Sequence, residues 1–163
     1  MEGSLLIVQS GIVAALAAWM AVAVADNWRH PQINLRGVRE VMSMDLLAHT
    51  DTEAFGRVGC RRIVCPVLTL WAYRAIIAWE TVAALWLGAG AICLGAAAFG
   101  LGGAEMARAV ALLGVGAFTL NWAGFLIGGN WFCYWLAHGT AQATHMALAI
   151  WGTLVMVLLA VPT

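Results

Sequence analysis

The sequence predicts an all-α integral membrane protein: a four-transmembrane-helix bundle with a long polar and amphipathic loop between helices one and two. Of the 163 residues, 63% are hydrophobic and only 10% are charged, whereas soluble domains carry about 25% charged residues. The mean hydropathy is +0.88. Apolar runs near the roughly 20 residues that cross a bilayer recur along the chain. We therefore predict a single membrane domain over residues 1–163.

The first two spans stand on either side of the loop. The first is predicted over residues 4–25, which contain no charged residue. Because Glu2 and no basic residue precedes it, we expect this segment to be retained rather than cleaved as a signal peptide. The second span is predicted over residues 66–98, starting at Pro66, a residue favoured in a first helical turn. Its length of roughly 50 Å exceeds the hydrocarbon thickness, so it should tilt or protrude.

The third and fourth spans lie in a part of the chain almost free of charge. Beyond Arg108 the sequence contains no Asp, Glu, Lys or Arg, and a Gly-Gly-Asn break divides this stretch. We predict spans over residues 109–128 and 144–161. Gly124 and Gly128 have the GxxxG spacing that allows helices to approach closely, within this bundle or against another chain.

Most of the charge is concentrated in the loop over residues 26–65. Six Arg and five acidic residues lie there. Because the whole chain has a net charge of zero, it provides no positive electrostatic potential that would attract nucleic acid. Between Leu35 and Ser43 apolar residues recur at helical spacing, which indicates a short amphipathic helix. This helix either lies on the membrane or packs on the bundle. Thr50 to Glu53 has the form of a capping box and predicts another short helix.

Three polar residues inside the spans are candidates for function: Arg74, Glu80 and Asn121. An ionisable group at mid-membrane costs roughly 2.5–3.5 kcal/mol on insertion scales. Counting about 1.5 Å per residue from the start of the second span places Arg74 at the depth of Asn121, and Glu80 near Gln9 and Ser10. We predict that Glu80 hydrogen-bonds a polar group of the first span, as a packing lock, a proton relay or a ligand contact.

An aromatic cluster follows the third span: Trp131, Phe132, Tyr134 and Trp135. It indicates an interfacial girdle or a short re-entrant segment, and cofactor stacking is less favoured. A bis-His haem needs two histidines on facing helices, but only His145 is near a span. No ligand spacing indicates a metal site. We predict neither a cofactor nor a metal, expect bound lipid, and regard a quinone or a haem as less favoured.

Cysteines provide an alternative function. Cys60, Cys65 and Cys133 are predicted on the loop side, while Cys93 falls within the second span. This layout resembles that of the quinone-reducing thiol oxidases of the bacterial inner membrane, which differ in carrying a CxxC in the first loop and two Cys in the second. If the face is periplasmic, a disulfide of Cys133 with Cys60 or Cys65 is expected. The alternative is therefore a small quinone- or thiol-linked membrane redox protein.

Three segments resemble one family. Residues 38–45 (VREVMSMD), 76–80 (IIAWE) and 128–135 (GGNWFCYW), followed by Gln142, are similar to the predicted small integral membrane proteins of proteobacteria, classed as a domain of unknown function. The resemblance implies a four-helix membrane protein with cytoplasmic termini and implies no reaction. The six Arg of the loop favour the opposite orientation by the positive-inside rule. We expect the bacterial inner membrane, with cytoplasmic termini.

The sequence favours a non-catalytic role. It contains no nucleophile paired with a base, no metal-ligand set and no nucleotide-binding fingerprint, while its spans are rich in residues that suit helix and lipid contacts. We therefore predict an accessory or structural subunit, or an assembly factor, of a larger inner-membrane complex, respiratory or photosynthetic. Its expected partners are the lipid bilayer and other membrane subunits.

Overall fold

The computed structural model describes residues 2–161, and nearly all of them are helical. Within this part of the chain, four helices are long and apolar enough to cross a membrane, which confirms the predicted fold class. Residues 1, 162 and 163 of the predicted domain lie outside the described residues. The elements are α1 (Glu2–Arg29), α2 (Pro31–Ser43), α3 (Asp45–Thr50), α4 (Thr52–Val58), a 3₁₀ turn (Gly59–Arg61), α5 (Pro66–Ala98), α6 (Ala104–Trp131), α7 (Tyr134–Ala137) and α8 (Gly139–Ala160).

The bounds of the spans agree only in part with the predicted ones. Helix α5 has the predicted bounds, whereas α1 continues past residue 25 to Arg29 and α6 exceeds residues 109–128 at both ends. Helix α8 begins at Gly139, before the predicted residue 144, and ends at Ala160. The reason is that an apolar run marks the hydrocarbon layer, while backbone hydrogen bonds continue into the interface beyond it.

The four long helices pack in the order α1, α5, α6, α8, each antiparallel to the next. At one end of the bundle, called the terminal end, Gly3 of α1 lies against Ala98 of α5. There Gln9 Nε2 also donates a hydrogen bond to the Leu158 carbonyl oxygen, 3.0 Å away. Helices α1 and α8 make few contacts with each other. The opposite end of the bundle is called the loop end.

Two glycines bring α5 and α6 together. A Cβ at Gly90 would lie 2.6 Å from a backbone atom of α6, and one at Gly114 would lie 2.9 Å from a backbone atom of α5. By contrast, a Cβ at Gly124 or Gly128 would meet no heavy atom of a neighbouring described element within 4 Å. The GxxxG pair therefore makes no helix crossing within this bundle, and its contact with another chain stays a prediction.

The loop folds into helices that pack on the bundle. The predicted amphipathic helix is α2, which packs against α5, and its place on the membrane surface stays a prediction. The predicted second short helix is α4. Its N-cap is Asp51, whose side chain accepts a hydrogen bond from the Ala54 amide at 2.8 Å. The hydroxyl of Thr50, the residue that opened the predicted capping box, instead donates to the Leu46 carbonyl oxygen.

Two residues in strained backbone conformations join the loop helices to the bundle. Met44, between α2 and α3, has φ 56°, and Cys133, between α6 and α7, has φ 52°. Side chains rarely adopt this left-handed region, and such strain costs of order 1–3 kcal/mol. Both residues are buried with Leu47 in one apolar cluster. The packing of α3 against α7 therefore lies beside both sharp changes of chain direction. We call the loop helices α2, α3 and α4, together with α7, the cap.

We expect Gly90→Ala to destabilise the bundle by about 1–3 kcal/mol, because the added methyl group overpacks the crossing of α5 and α6. The free energy of unfolding can be measured by circular dichroism while a mild detergent is titrated with dodecyl sulfate. Gly88→Ala is the matched control on the same helix, since its Cβ would meet no described neighbour within 4 Å. Equal effects of the two substitutions would contradict the proposed crossing.

Candidate functional site

A cavity of about 850 Å³ lies between α1, α2, α5, α6 and α8 in the loop half of the bundle. Its volume falls within the range of about 300–1,000 Å³ that is usual for small-molecule sites. Most of its lining is apolar. Two clusters of side chains among its lining are described below, and we call them the Glu80 cluster and the aromatic stack.

The Glu80 cluster joins polar groups from four helices: Glu80, Asn27, Asn34, Tyr73 and Asn121. Glu80 is only 4% exposed. Its Oε2 accepts a hydrogen bond from Asn27 Nδ2 at 2.8 Å, and its Oε1 lies 3.5 Å from Asn121 Nδ2. Asn34 Nδ2 donates to Asn27 Oδ1, and the Tyr73 hydroxyl donates to the Asn27 carbonyl oxygen at 3.0 Å. Both carboxyl oxygens thus face amide donors inside the bundle.

The predicted hydrogen bond from Glu80 to the first span is confirmed, but its partner is Asn27 rather than Gln9 or Ser10. Helix α5 extends beyond the end of α1 at the loop end, so Glu80 faces the last turn of α1 instead of its middle. The Ser10 hydroxyl instead donates to the Ala91 carbonyl oxygen of α5. This contact lies much nearer the terminal end. Counting depth from Pro66 was wrong because the start of α5 is not level with the end of α1.

Asn121 lies at the level of Glu80, and its predicted alignment with Arg74 is wrong. Helix α6 continues to Trp131 instead of ending at residue 128, which moves Asn121 deeper along α5. Arg74 is exposed, and its guanidinium carbon lies 5.4 Å from the centre of the Trp71 ring. The Arg74 side chain therefore extends outward from the bundle, as is expected of a long cationic side chain in a span.

The aromatic stack consists of Trp122, Phe125, His145 and Tyr134. The His145 ring lies 4.8 Å from the Phe125 ring, 5.5 Å from the Trp122 ring and 6.1 Å from the Tyr134 ring, each in a stacked arrangement. Trp122 Nε1, Tyr134 Oη and His145 Nδ1 are buried and have no hydrogen-bond partner among residues 2–161. All three residues line the cavity. A buried polar atom without a partner costs about 1–3 kcal/mol, so the aromatic stack is held at an energetic cost.

Tyr134 is the member of the aromatic stack that comes from the cap. It belongs to α7, outside the long helices, and is 3% exposed. Burial raises the pKa of its hydroxyl above the ordinary value, because an apolar environment disfavours the phenolate. The hydroxyl group therefore keeps its proton at neutral pH.

The predicted aromatic cluster divides into two parts. Phe132 and Tyr134 line the cavity, whereas Trp131 and Trp135 are exposed on the outer surface. The Arg61 guanidinium lies 5.3 Å from the centre of the Trp131 ring. The outward residues have the placement that an interfacial girdle requires, and the inward ones belong to the site.

The four cysteines are free thiols. Cys60 and Cys65 are exposed and Cys133 is buried, with its Sγ 3.8 Å from Arg61 Nη1. None of the described residues that line the cavity is a cysteine, so the thiols and the cavity are separate features. The predicted disulfide stays a prediction. No group of three His, Cys, Asp or Glu side chains within residues 2–161 is arranged to hold a metal ion.

Five residues of the two clusters were missed in the sequence analysis, Asn27, Asn34, Tyr73, Trp122 and Phe125, and His145 was considered there only as a haem ligand. Asn27 and Asn34 lie on different helices, α1 and α2, and both fall within the predicted loop, so no helical spacing joins them to a span. Trp122 adjoins Asn121 and lies three residues from Phe125. That pattern was a usable signal of an aromatic face beside a polar residue.

The three segments that carry the family resemblance meet at the cavity, although they are far apart in the chain. The lining residues that they contribute are Val38, Glu40, Val41, Met42, Ile76, Trp79, Glu80, Gly128, Gly129, Phe132 and Tyr134. The cavity is therefore the place where α2, α5 and the end of α6 with α7 come together.

This fold and this cavity define a four-helix integral membrane protein with a ligand-sized site inside its bundle. The chain belongs to the family described as predicted small integral membrane protein (DUF2165), whose model matches residues 5–162. No curated protein and no solved structure matches the chain. The family description gives the membrane location without an activity.

We expect Asn27→Ala to destabilise the protein by about 1–3 kcal/mol, because Glu80 Oε2 then loses its amide donor while it remains buried. The free energy of unfolding in detergent is the measurement. Asn130→Ala, at an exposed position of α6, is the control and should have little effect. A loss at Asn27 no larger than that at Asn130 would show that the Glu80 cluster does not hold α1 against α5.

Proposed function

We propose that this membrane protein binds an amphipathic molecule of the bilayer in its cavity and holds it without chemical change. The observation that carries the proposal is a cavity of about 850 Å³ whose mostly apolar walls include the polar side chains of the Glu80 cluster. Ligand sites typically combine apolar walls with a few well-placed polar groups. Bound lipid, expected from the sequence, is the simplest member of this ligand class.

The location of the cavity favours a ligand that arrives from the lipid. Its walls include Trp19 on α1, Leu120 on α6 and Leu148 on α8, all on helices long and apolar enough to cross a membrane. A hydrocarbon chain can lie along these apolar walls. The polar head of the same molecule would then reach the Glu80 cluster and the aromatic stack.

Thiol chemistry receives no support from this site. Cys60 and Cys65 are exposed on the cap, and the residues described around the cavity include no cysteine. Thiol exchange requires a thiolate within reach of its disulfide partner or its oxidant. We therefore propose binding in preference to the redox alternative.

The accessory role that the sequence predicts is part of the same proposal. A non-catalytic protein that retains an amphiphile is suited to serve as an accessory subunit or assembly factor in a larger complex, respiratory or photosynthetic. The proposed location is the bacterial inner membrane, with cytoplasmic termini, as the family resemblance implies. Other membrane subunits would pack on the lipid-facing surfaces of the long helices.

For the accessory role, we expect the protein to migrate on a native gel in a complex much larger than its own 17.3 kDa after gentle detergent extraction. Mass spectrometry of that band should identify the same neighbouring chains in independent preparations. Migration as a lone chain under conditions that preserve other membrane complexes would contradict the accessory role. It would leave the ligand-binding proposal standing, since binding needs only the cavity.

For ligand binding, we expect the double substitution Gly124→Leu and Gly128→Leu to remove a bound amphiphile from the purified protein. Both glycines line the cavity and have room for a side chain, so the new side chains should fill it without disrupting the helices. Lipid extraction and native mass spectrometry measure the retained ligand.

The matched control is Gly116→Leu, on the same helix and also with room for a Cβ, but outside the lining of the cavity. It should retain as much amphiphile as the unsubstituted protein. If the double variant folds and still retains the ligand, the ligand lies elsewhere and the proposal is wrong.

A further inference from the structure

We infer that a second site, a groove on the outer surface of the bundle, binds an anionic phospholipid with its phosphate at Arg74 and an acyl chain along α5. The groove has a volume of about 530 Å³ and lies between the last turn of α1, the start of α2 and the loop-end half of α5. Asn27 and Tyr73 line both the groove and the cavity and so stand between them. The inference therefore goes beyond the proposed function, which concerns the cavity.

The groove holds a cation without a partner. Arg74 is the one charged side chain among the described residues that line it, and it is exposed, so a molecule on the surface can reach it. Within the described part of the chain, no acidic side chain pairs with Arg74 and no acceptor bonds to it. Its guanidinium carbon lies 5.4 Å from the centre of the Trp71 ring, a contact that leaves the N–H donors available. A guanidinium group binds phosphate through such paired donors.

The depth of Arg74 suits the phosphate of a lipid. Helix α5 runs over Pro66–Ala98, so Arg74 lies eight residues, or about 12 Å, from the middle of the helix. The hydrocarbon layer extends about 15 Å on either side of its midplane. With α5 centred in the bilayer, the long side chain of Arg74 therefore reaches the headgroup layer. Trp28 and Trp71 beside it are 66% and 61% exposed, as is typical of tryptophan at this interface.

The surface on the hydrocarbon side of Arg74 is apolar. Ile77 and Ala78, one turn deeper on α5, line the groove, and Leu35 of α2 lines it as well. The same face of α5 continues to Leu85, which is 70% exposed. Leu85 is eleven residues from Arg74, about 20° away around the helix axis and about 17 Å deeper. An acyl chain can lie along this face while its phosphate is at Arg74, whereas a soluble anion would use the cation alone.

The other polar groups of the groove favour an anionic headgroup over a zwitterionic one. No acidic residue is among the described residues of its lining, so the ammonium of phosphatidylcholine would have no partner there. Gln32 of α2 is exposed, lines the groove and makes no side-chain hydrogen bond within residues 2–161. Its amide can therefore donate to a phosphate or glycerol oxygen. Phosphatidylglycerol supplies both kinds of oxygen and one negative charge for Arg74.

The test is competition on the full-length protein, stripped of lipid in detergent and observed by native mass spectrometry. Phosphatidylglycerol and phosphatidylcholine with the same acyl chains are supplied in equal amounts to the unsubstituted protein and to the variant with Gly124→Leu and Gly128→Leu, whose cavity is filled. We expect both proteins to bind one phosphatidylglycerol with about fivefold preference, which equals the roughly 1 kcal/mol that a basic residue gains near anionic lipid. Glycerol phosphate, which has the anion without an acyl chain, should not displace it.

Two further substitutions test the parts of the groove. Arg74→Gln should reduce the preference for phosphatidylglycerol to near unity, while Arg62→Gln, the same change of charge at an exposed position before α5, should preserve it. Ala78→Trp should fill the groove and weaken both phospholipids together. Ala14→Trp, at an exposed position of α1 outside the lining of the groove, should leave both unchanged.

The outcomes separate this inference from the proposed function. Equal binding of the two phospholipids, an Arg74→Gln variant that keeps the preference, or displacement by glycerol phosphate would overturn the groove as an anionic lipid site. None of these results would affect ligand binding in the cavity, which the substitutions of Gly124 and Gly128 test. If Arg74→Gln disperses the complex on a native gel and leaves the lipid preference unchanged, Arg74 contacts a partner chain and the inference is wrong.

Discussion

The arrangement of the bundle depends on the burial of one carboxyl group, that of Glu80. A charged side chain facing lipid near mid-membrane costs several kcal/mol, so α5 must turn Glu80 inward and its neighbours must provide donors. Asn27 provides one from α1 and Asn121 another from α6. These contacts fix the register of α1 and α6 against α5. Asn34 on α2 donates a hydrogen bond to Asn27. The position of α2, the first helix of the cap, therefore also depends on the contacts of Glu80.

The cavity follows from this register and from the placement of glycine. Gly90 and Gly114 allow α5 and α6 to approach closely in the terminal half of the bundle. In the loop half, Gly124 and Gly128 leave space on a face of α6 that lines the cavity. Glycine therefore allows close helix packing in one half of the bundle and leaves space in the other half. Which of the two occurs depends on whether a neighbouring helix faces the glycine, and sequence spacing does not specify that.

Composition and apolar run length predicted the fold, whereas the site required the structure. Glu80 could be identified because an acid within a span is costly. Asn27 could not, because Asp26 seemed to end the first span although the helix continues to Arg29. The position of Trp122 beside Asn121 indicated an aromatic face, but only the structure shows that its indole nitrogen is buried without a partner in the described chain. Local patterns thus show which residues are unusual, and only packing shows which of them meet.

The cap and the bundle form one site, and this bears on how a ligand enters. The cap contributes α2 and Tyr134 to the cavity lining, and its strained junctions at Met44 and Cys133 are buried in one apolar cluster. Entry through the cap would have to separate that packing, which holds two residues in the left-handed region. Trp79 of α5 and Leu120 of α6 line the cavity and are exposed on helices long and apolar enough to cross a membrane. The proposed amphiphile would therefore reach the cavity from the bilayer without separating the cap.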